Sequence, residues 1–295
     1  MHRRWAPGLT LAVLAVGAIL SARGLPAAPD AQAPFTVGLD HVNVAVRNLD
    51  VAATHYSAMG FALKPGRPHP NGITNRHIKF TNGTELELIT APAPADDLTR
   101  YYRRLIDAGD GAGFIALHPS DADEAMARLS RAGLPARRSA YTFGFPYDHP
   151  LAHVFFAGLN HSPTDRPEHF AHANTAVRLS AVWLAGEAFT AEQSAFEALG
   201  LTVHPSAPEF PFLPEARAVA VADGAVYLLP GPYARPLRRV VGVTIDVSRL
   251  DIAAARLESA RVPVRRLTAR GRRQSLVVEP DHAHGIWLEL RAEPP

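Results

Sequence analysis

The chain has no cysteine among its 295 residues. That excludes disulfides, thiolate chemistry and a lipid-modified N-terminal cysteine. It also lacks a charge of one dominant sign. There are 30 basic and 28 acidic residues, and removing residues 1–33 with Arg3, Arg4, Arg23 and Asp30 leaves equal numbers. A balanced chain offers no electrostatic footing for nucleic acid or an anionic membrane. There is no Gly-x-Ser-x-Gly elbow, no phosphate-binding loop, no dinucleotide fingerprint and no His-Glu-x-x-His helix, so hydrolase and nucleotide-binding readings lose their usual support. Long apolar runs are scarce too. The one near the start, residues 9–20, is shorter than the ~20 residues a spanning helix needs. It follows His2, Arg3 and Arg4 and precedes Ser21, Ala22, Ala27, Ala28, Ala31 and Ala33. That order of parts predicts an export leader over 1–33, so a periplasmic or secreted protein, with membrane contact only if the leader stays on as an anchor.

The remaining chain is long enough for one large or two medium domains. A pattern recurs in it: an apolar strand, an alanine-rich helix stopped near a glycine, then short strands. Residues 39–46 alternate in period 2, with Val42, Val44 and Val46 on one face and His41, Asn43 and Ala45 on the other. Asn48 or Asp50 can cap the helix that follows, and Gly60 ends it. Strands are predicted over 61–64, 76–81 and 84–90, with Asn82-Gly83 as a tight-hairpin signal. Further copies start at 113–118, 177–185 and 240–247, with helices over 121–132, 190–199 and 250–260. Residues 140–176 read as a long irregular loop with one strand at 153–157, and 164–167 as a join between halves at 37–165 and 166–295. The expectation is an α+β protein of four diverged βαβββ modules, paired into half-barrel sheets with helices outside.

The segments LDHVNVAVRNLDVAATHYSAMGF and GRPHPNGITNRHIKFTNGTELELIT, followed later by PEHFAHAN, resemble glyoxalase-like domains of the vicinal oxygen chelate superfamily. The resemblance carries an early strand histidine, a His-Pro loop with Gly-x-Thr-Asn character and a closing Leu-Glu-Leu-Ile strand. It implies that each module offers a first-strand His and a last-strand Glu to a divalent ion such as Fe, Ni, Mn, Co or Zn. Such an ion would bind a substrate with two neighbouring oxygens. Carried over, those residues are His41 and Glu87, with Glu87 or its period-2 neighbour Glu85 as ligand or base.

The second module departs from this pattern. Aligning its helix with the first puts Phe114 where His41 stands, and the third and fourth modules put Ala181 and Gly242 there. Only Glu289 keeps a last-strand Glu among the later copies. A further ligand would have to come from the stretch holding His149, His153, His161, His169 and His172, with His172 the candidate metal ligand and His169 a candidate substrate contact. The other reading of that stretch is a solvated polar loop. Arg67, His69, Asn75 and Arg76 are candidate substrate contacts, or else turn residues. The arginines at 256, 261, 265, 266, 270, 272 and 273 read as a solvated edge. Two functions follow: a metal-dependent lyase, isomerase or dioxygenase acting on a small vicinal-oxygen substrate, or a non-catalytic protein that sequesters a small molecule in the same concavity.

Overall fold

A computed structural model describes residues 34–207, 210, 215–268 and 273–294. The expected leader, and Arg270 and Arg272 of the arginine group, lie outside the described residues. Among the described residues no helix is long and apolar enough to cross a membrane.

Among the described residues, two mixed eight-stranded sheets and five α-helices build the compact unit that begins at Phe35. The first sheet uses β1 (Val37–Ala45), β2 (Lys64–Pro65), β3 (Thr74–Lys79), β4 (Glu85–Thr90), β5 (Gly111–Pro119), β6 (Arg137–Arg138), β7 (Phe143–Gly144) and β8 (Val154–Phe156), in the order β2-β3-β4-β1-β5-β8-β7-β6. The second uses β9 (Ala176–Ala185), β10 (Val203–His204), β11 (Arg217–Val221), β12 (Gly224–Leu229), β13 (Val240–Val247), β14 (Arg265–Leu267), β15 (Ser275–Val278) and β16 (Trp287–Ala292), in the matching order β10-β11-β12-β9-β13-β16-β15-β14. In each sheet the first strands of two modules lie side by side and antiparallel, β1 on β5 and β9 on β13. Each module's last strand runs parallel to its first, as β4 does to β1 and β8 to β5. This is the expected pairing of βαβββ modules.

Local chemistry sets the elements. Asn48 is the cap of α1 (Leu49–Ala58), its side chain accepting from the amides of Asp50 and Val51 at 3.1 and 3.0 Å. Gly83, at φ 90°, closes the β3–β4 hairpin from a conformation that side-chain-bearing residues disfavour. The helix α2 (Asp97–Asp107) is not anticipated from the sequence pattern, although its capping box, Asp96 with Thr99, is a readable start signal. The remaining helices are α3 (Ala122–Arg131), α4 (Thr190–Ala198) and α5 (Leu250–Ser259).

Period-2 alternation decides which face is buried. Val42, Val44, Ile78, Leu86 and Leu88 of the first sheet share one core with Val182, Leu184, Val243 and Ile245 of the second, and α1 adds Leu49, Ala52 and Tyr56. The helices therefore cover the sheet faces that look inward, with α1 against α5 and α3 against α4. The alternate residues face the other way, and there the two sheets differ.

Candidate active site

The outward face of the first sheet floors an open cleft of about 1940 Å³. His41 and Asn43 come from β1, Asn75 and His77 from β3, and Glu85 and Glu87 from β4. Strand register brings them together: His41 pairs with Glu85, Asn43 with Glu87, and Glu87 with His77. Phe114, Phe155, Tyr101, Tyr102 and Tyr147 form an aromatic wall.

Asp40, not anticipated as a site residue, belongs here as well. The β1–β5 register shifts between Leu39 and His41, and this bulge lets Asp40 and His41 both reach the cleft side. Asp40 is fully buried, and its Oδ1 lies 2.5 Å from His41 Nδ1. A carboxylate only accepts, so Nδ1 carries a proton and Nε2 is the free ring nitrogen, 3.7 Å from Glu87 Oε2. Burial opposes charge on His41, but the Asp40 hydrogen bond and the charges of Asp40, Glu85 and Glu87 outweigh it and raise the pKa to about 9. His41 is therefore an imidazolium at neutral pH. Glu87 is held by two carboxamides, Asn43 Nδ2 donating to Oε2 and Asn75 Nδ2 to Oε1. Beside it, Glu85 accepts from His77 at 3.1 Å and from Asn160 at 3.2 Å. Burial opposes the charge on Glu85, yet His77 and the cations His41 and Lys79 hold its carboxyl below the usual range.

Several expected site residues are in place. His41, Glu85, Glu87, Asn75, Arg67 and His69 all line the cleft, and so does His161. Others are not. Arg76 alternates to the opposite face of β3, where it pairs with Asp50 at 3.5 Å; His77 takes its place in the cleft. His169 does not line the cleft, and its Nδ1 accepts from the Arg166 amide at 3.1 Å across the turn at Pro167–His169. His172 is a structural pin rather than a metal ligand. Its Nδ1 accepts from the Ala62 amide at 3.0 Å and its Nε2 donates to the Lys79 carbonyl at 2.9 Å, so neither nitrogen is left for an ion. His153 is buried, and desolvation together with Arg239 depresses its pKa to about 3.

The donor set can be tested by register. Parallel pairing places Ala116 opposite Phe155 in the second module, as Asn43 lies opposite Glu87 in the first. Phe114 thus stands for the second histidine and Phe155 for the second glutamate. The two rings meet edge to face at 5.9 Å, and Phe155 lies 5.3 Å from the His41 ring. Among the described residues no group of three or more His, Asp or Glu side chains is arranged to hold a metal. The described residues do not complete a metal centre.

In the second sheet the corresponding face is filled. Trp183 occupies the position of Asn43 and Tyr227 that of Glu87, and both pack on Phe210 at ring distances of 4.8 and 5.5 Å. Gly242 makes room, since a Cβ there would lie 2.7 Å from the Trp183 ring. Glu289 is buried beneath, accepting from Thr244, which in turn accepts from the Trp183 indole. Burial raises its pKa.

The profile of a glyoxalase-like domain matches residues 39–200, more than half of the chain. The protein belongs to the glyoxalase-like domain family. None of the curated proteins matches it. Solved structures do. A mutant 4-hydroxymandelate synthase from Streptomyces coelicolor aligns with TM-score 0.62 and 15% identity over 87% of this chain and 92% of its own. A Mn(II)-bound glyoxalase from Novosphingobium aromaticivorans aligns with TM-score 0.58 and 16% identity over 88% and 83%. A 2,2',3-trihydroxybiphenyl 1,2-dioxygenase from Sphingomonas wittichii aligns with TM-score 0.55 and 13% identity over 88% and 91%. At these identities the likeness concerns the fold, and this glyoxalase-like protein shares the paired-module architecture of the vicinal oxygen chelate superfamily.

Proposed function

We propose that this glyoxalase-like protein binds a small, flat, oxygen-bearing molecule in the first-half cleft and moves a proton on it, as a lyase or isomerase does, without a complete metal centre. One observation carries the reading: Asp40, His41 and Glu87 are assembled on the cleft floor while phenylalanines occupy both strand positions where the second module would supply donors. The imidazolium of His41, steadied by Asp40, donates from Nε2 to a substrate carbonyl oxygen and stabilises the charge that develops there. Glu87 takes the proton from the adjacent carbon while the carbonyl oxygen takes the Nε2 proton of His41, which leaves the enol, a protonated Glu87 and a neutral His41. The aromatic wall receives the flat body of the molecule.

The second reading is a non-catalytic binder. It is favoured by the fact that both Glu87 oxygens already accept from Asn43 and Asn75, which holds the carboxylate still and occupies oxygen lone pairs that a base would use. The Mn(II)-bound relative supports a third, in which a divalent ion is recruited through His41 and Glu87.

Deuterium exchange separates the three. Chelator-treated protein is incubated with 2-hydroxyacetophenone in D2O, and the CH2 signal is followed by NMR. Proton transfer predicts loss of that signal above the buffer rate, abolished in His41→Ala and Glu87→Gln. Exchange only after a divalent ion is restored supports the metal-dependent reading, and saturable binding without exchange supports the binder.

A further inference from the structure

The orientation of Asn43 is settled by chemistry rather than by choice of amide flip. Glu87 can only accept, so Asn43 must turn its NH2 toward it and its Oδ1 the other way. Asn43 is 3% exposed, and its Oδ1 is buried with no hydrogen-bond partner. Asn75 clamps the same carboxylate from the other side, and its Oδ1 also has no partner. The two oxygens have different surroundings. A Cβ built on Gly66 would lie 1.7 Å from Asn75 Oδ1, so that oxygen sits against the chain just after β2. Asn43 lines the cleft on β1 between its register partners Glu87 of β4 and Phe114 of β5, and its Oδ1 is the amide atom that Glu87 does not engage. A buried acceptor left without a donor costs roughly 1–3 kcal/mol, and such atoms are few in folded proteins.

We infer that Asn43 is a ligand-recognition residue, whose NH2 fixes Glu87 while its Oδ1 accepts a hydrogen bond from a hydroxyl or N–H group of the bound molecule. This rests on the reading of the cleft as a small-molecule site. It sharpens that reading, because an acceptor at Asn43 Oδ1 selects a molecule that carries a hydroxyl or N–H donor next to its carbonyl. Chelation to an ion would instead use such a hydroxyl as an electron-pair donor.

The test is binding calorimetry with 2-hydroxyacetophenone, 2-methoxyacetophenone and acetophenone, which share the aromatic ketone and differ in the hydroxyl donor. Wild type is expected to bind the hydroxyketone about tenfold more tightly than either of the others. In Asn43→Ala that ratio should fall to about one, with the affinity for acetophenone largely kept. Asn75→Ala also loosens Glu87 but should retain the preference, since the oxygen it removes lies against Gly66. Equal binding of all three ketones by wild type overturns the assignment of Asn43 and leaves the small-molecule reading standing. If none of the three binds, the reading and the inference fall together. Should Asn43→Ala not fold, the wild-type comparison still decides.

Discussion

At the residue scale, the site is distinguished by two phenylalanines and one aspartate. Phe114 and Phe155 replace donors by register, so restoring the donors is a direct check of the alignment. The double variant Phe114→His with Phe155→Glu is expected to raise bound metal to about one ion per chain by elemental analysis, because imidazole and carboxylate from both modules then converge. Wild type and either single variant should hold much less. Asp40 governs the charge on His41 through the 2.5 Å contact at Nδ1. In Asp40→Asn the burial penalty is no longer outweighed by the neighbouring carboxylate, and an NMR titration should place the His41 pKa well below about 9. A His41 pKa unmoved by this change would mean that Glu85 and Glu87 alone set it.

Elements are tied together by side chains that bond to backbone, and this explains the histidines that do no chemistry. His172 links the Ala62 amide before β2 to the Lys79 carbonyl at the end of β3. His172→Ala strands the buried Lys79 carbonyl and the half-buried Ala62 amide and is expected to cost about 2–3 kcal/mol in denaturant unfolding, while ketone binding in the cleft stays within about twofold. The segment after β8 is strapped to the sheet in a different way. Asp165 Oδ1 accepts from Lys64 and Oδ2 from Lys79, at 2.5 and 2.7 Å. Burial works against the carboxylate, but the two lysines pull its pKa down to about 2. A depressed carboxylate stabilises the fold at pH values above its unfolded pKa, and that contribution is lost as pH falls through the folded value. The wild-type advantage over Asp165→Asn should therefore be on the order of 2 kcal/mol at pH 6 and shrink toward zero near pH 2, as read from urea melts across that range. The α2 helix belongs to the same scale. Its capping box was visible in Asp96 and Thr99, but the inter-module position gave it no counterpart in the repeat pattern.

Over the whole molecule, two sheets of the same topology serve different ends. One keeps its outward face polar and open, while the other fills it with Trp183, Tyr227 and Phe210 and so acts as a scaffold. The halves are joined by more than apolar packing. The Leu39 amide donates to Asp223, the Leu179 amide to Thr84, and buried Arg238 donates to the carbonyls of Leu105, Gly109, Gly111 and Ala112. Arg238 thus caps the C-terminal end of α2, where the helix dipole favours a cation. Arg238→Met is expected to destabilise the protein by about 3 kcal/mol or more, with the thermal transition remaining single, because the shared core couples both halves. Two separate transitions would show that the halves unfold independently.

What could be read along the chain was whatever depends on neighbours in sequence. Period-2 valines placed His41 on a polar face, glycines and caps bounded the helices, and the spacing from strand to helix exposed Phe114 as a substituted ligand position. Alternation showed which strand residues share a face with His41 and Glu87, while the family resemblance singled those two out and Arg67, His69 and Asn75 came from the polar loop between strands; all five line the cleft. Contacts between residues far apart in sequence were decided only by the tertiary structure. Whether a histidine meets solvent, an ion or two backbone groups depends on which loops pack around it, so His172 and His169 were misassigned. Arg76 fell to the opposite side because the register of β3 puts Asn75 and His77 in the cleft. Asp40 was missed because a β-bulge breaks the alternation by which it would have been assigned to the other face. Phe155 acquired its meaning only when β8 paired with β5, because parallel register is set by the packing of whole modules and leaves no mark on a single strand.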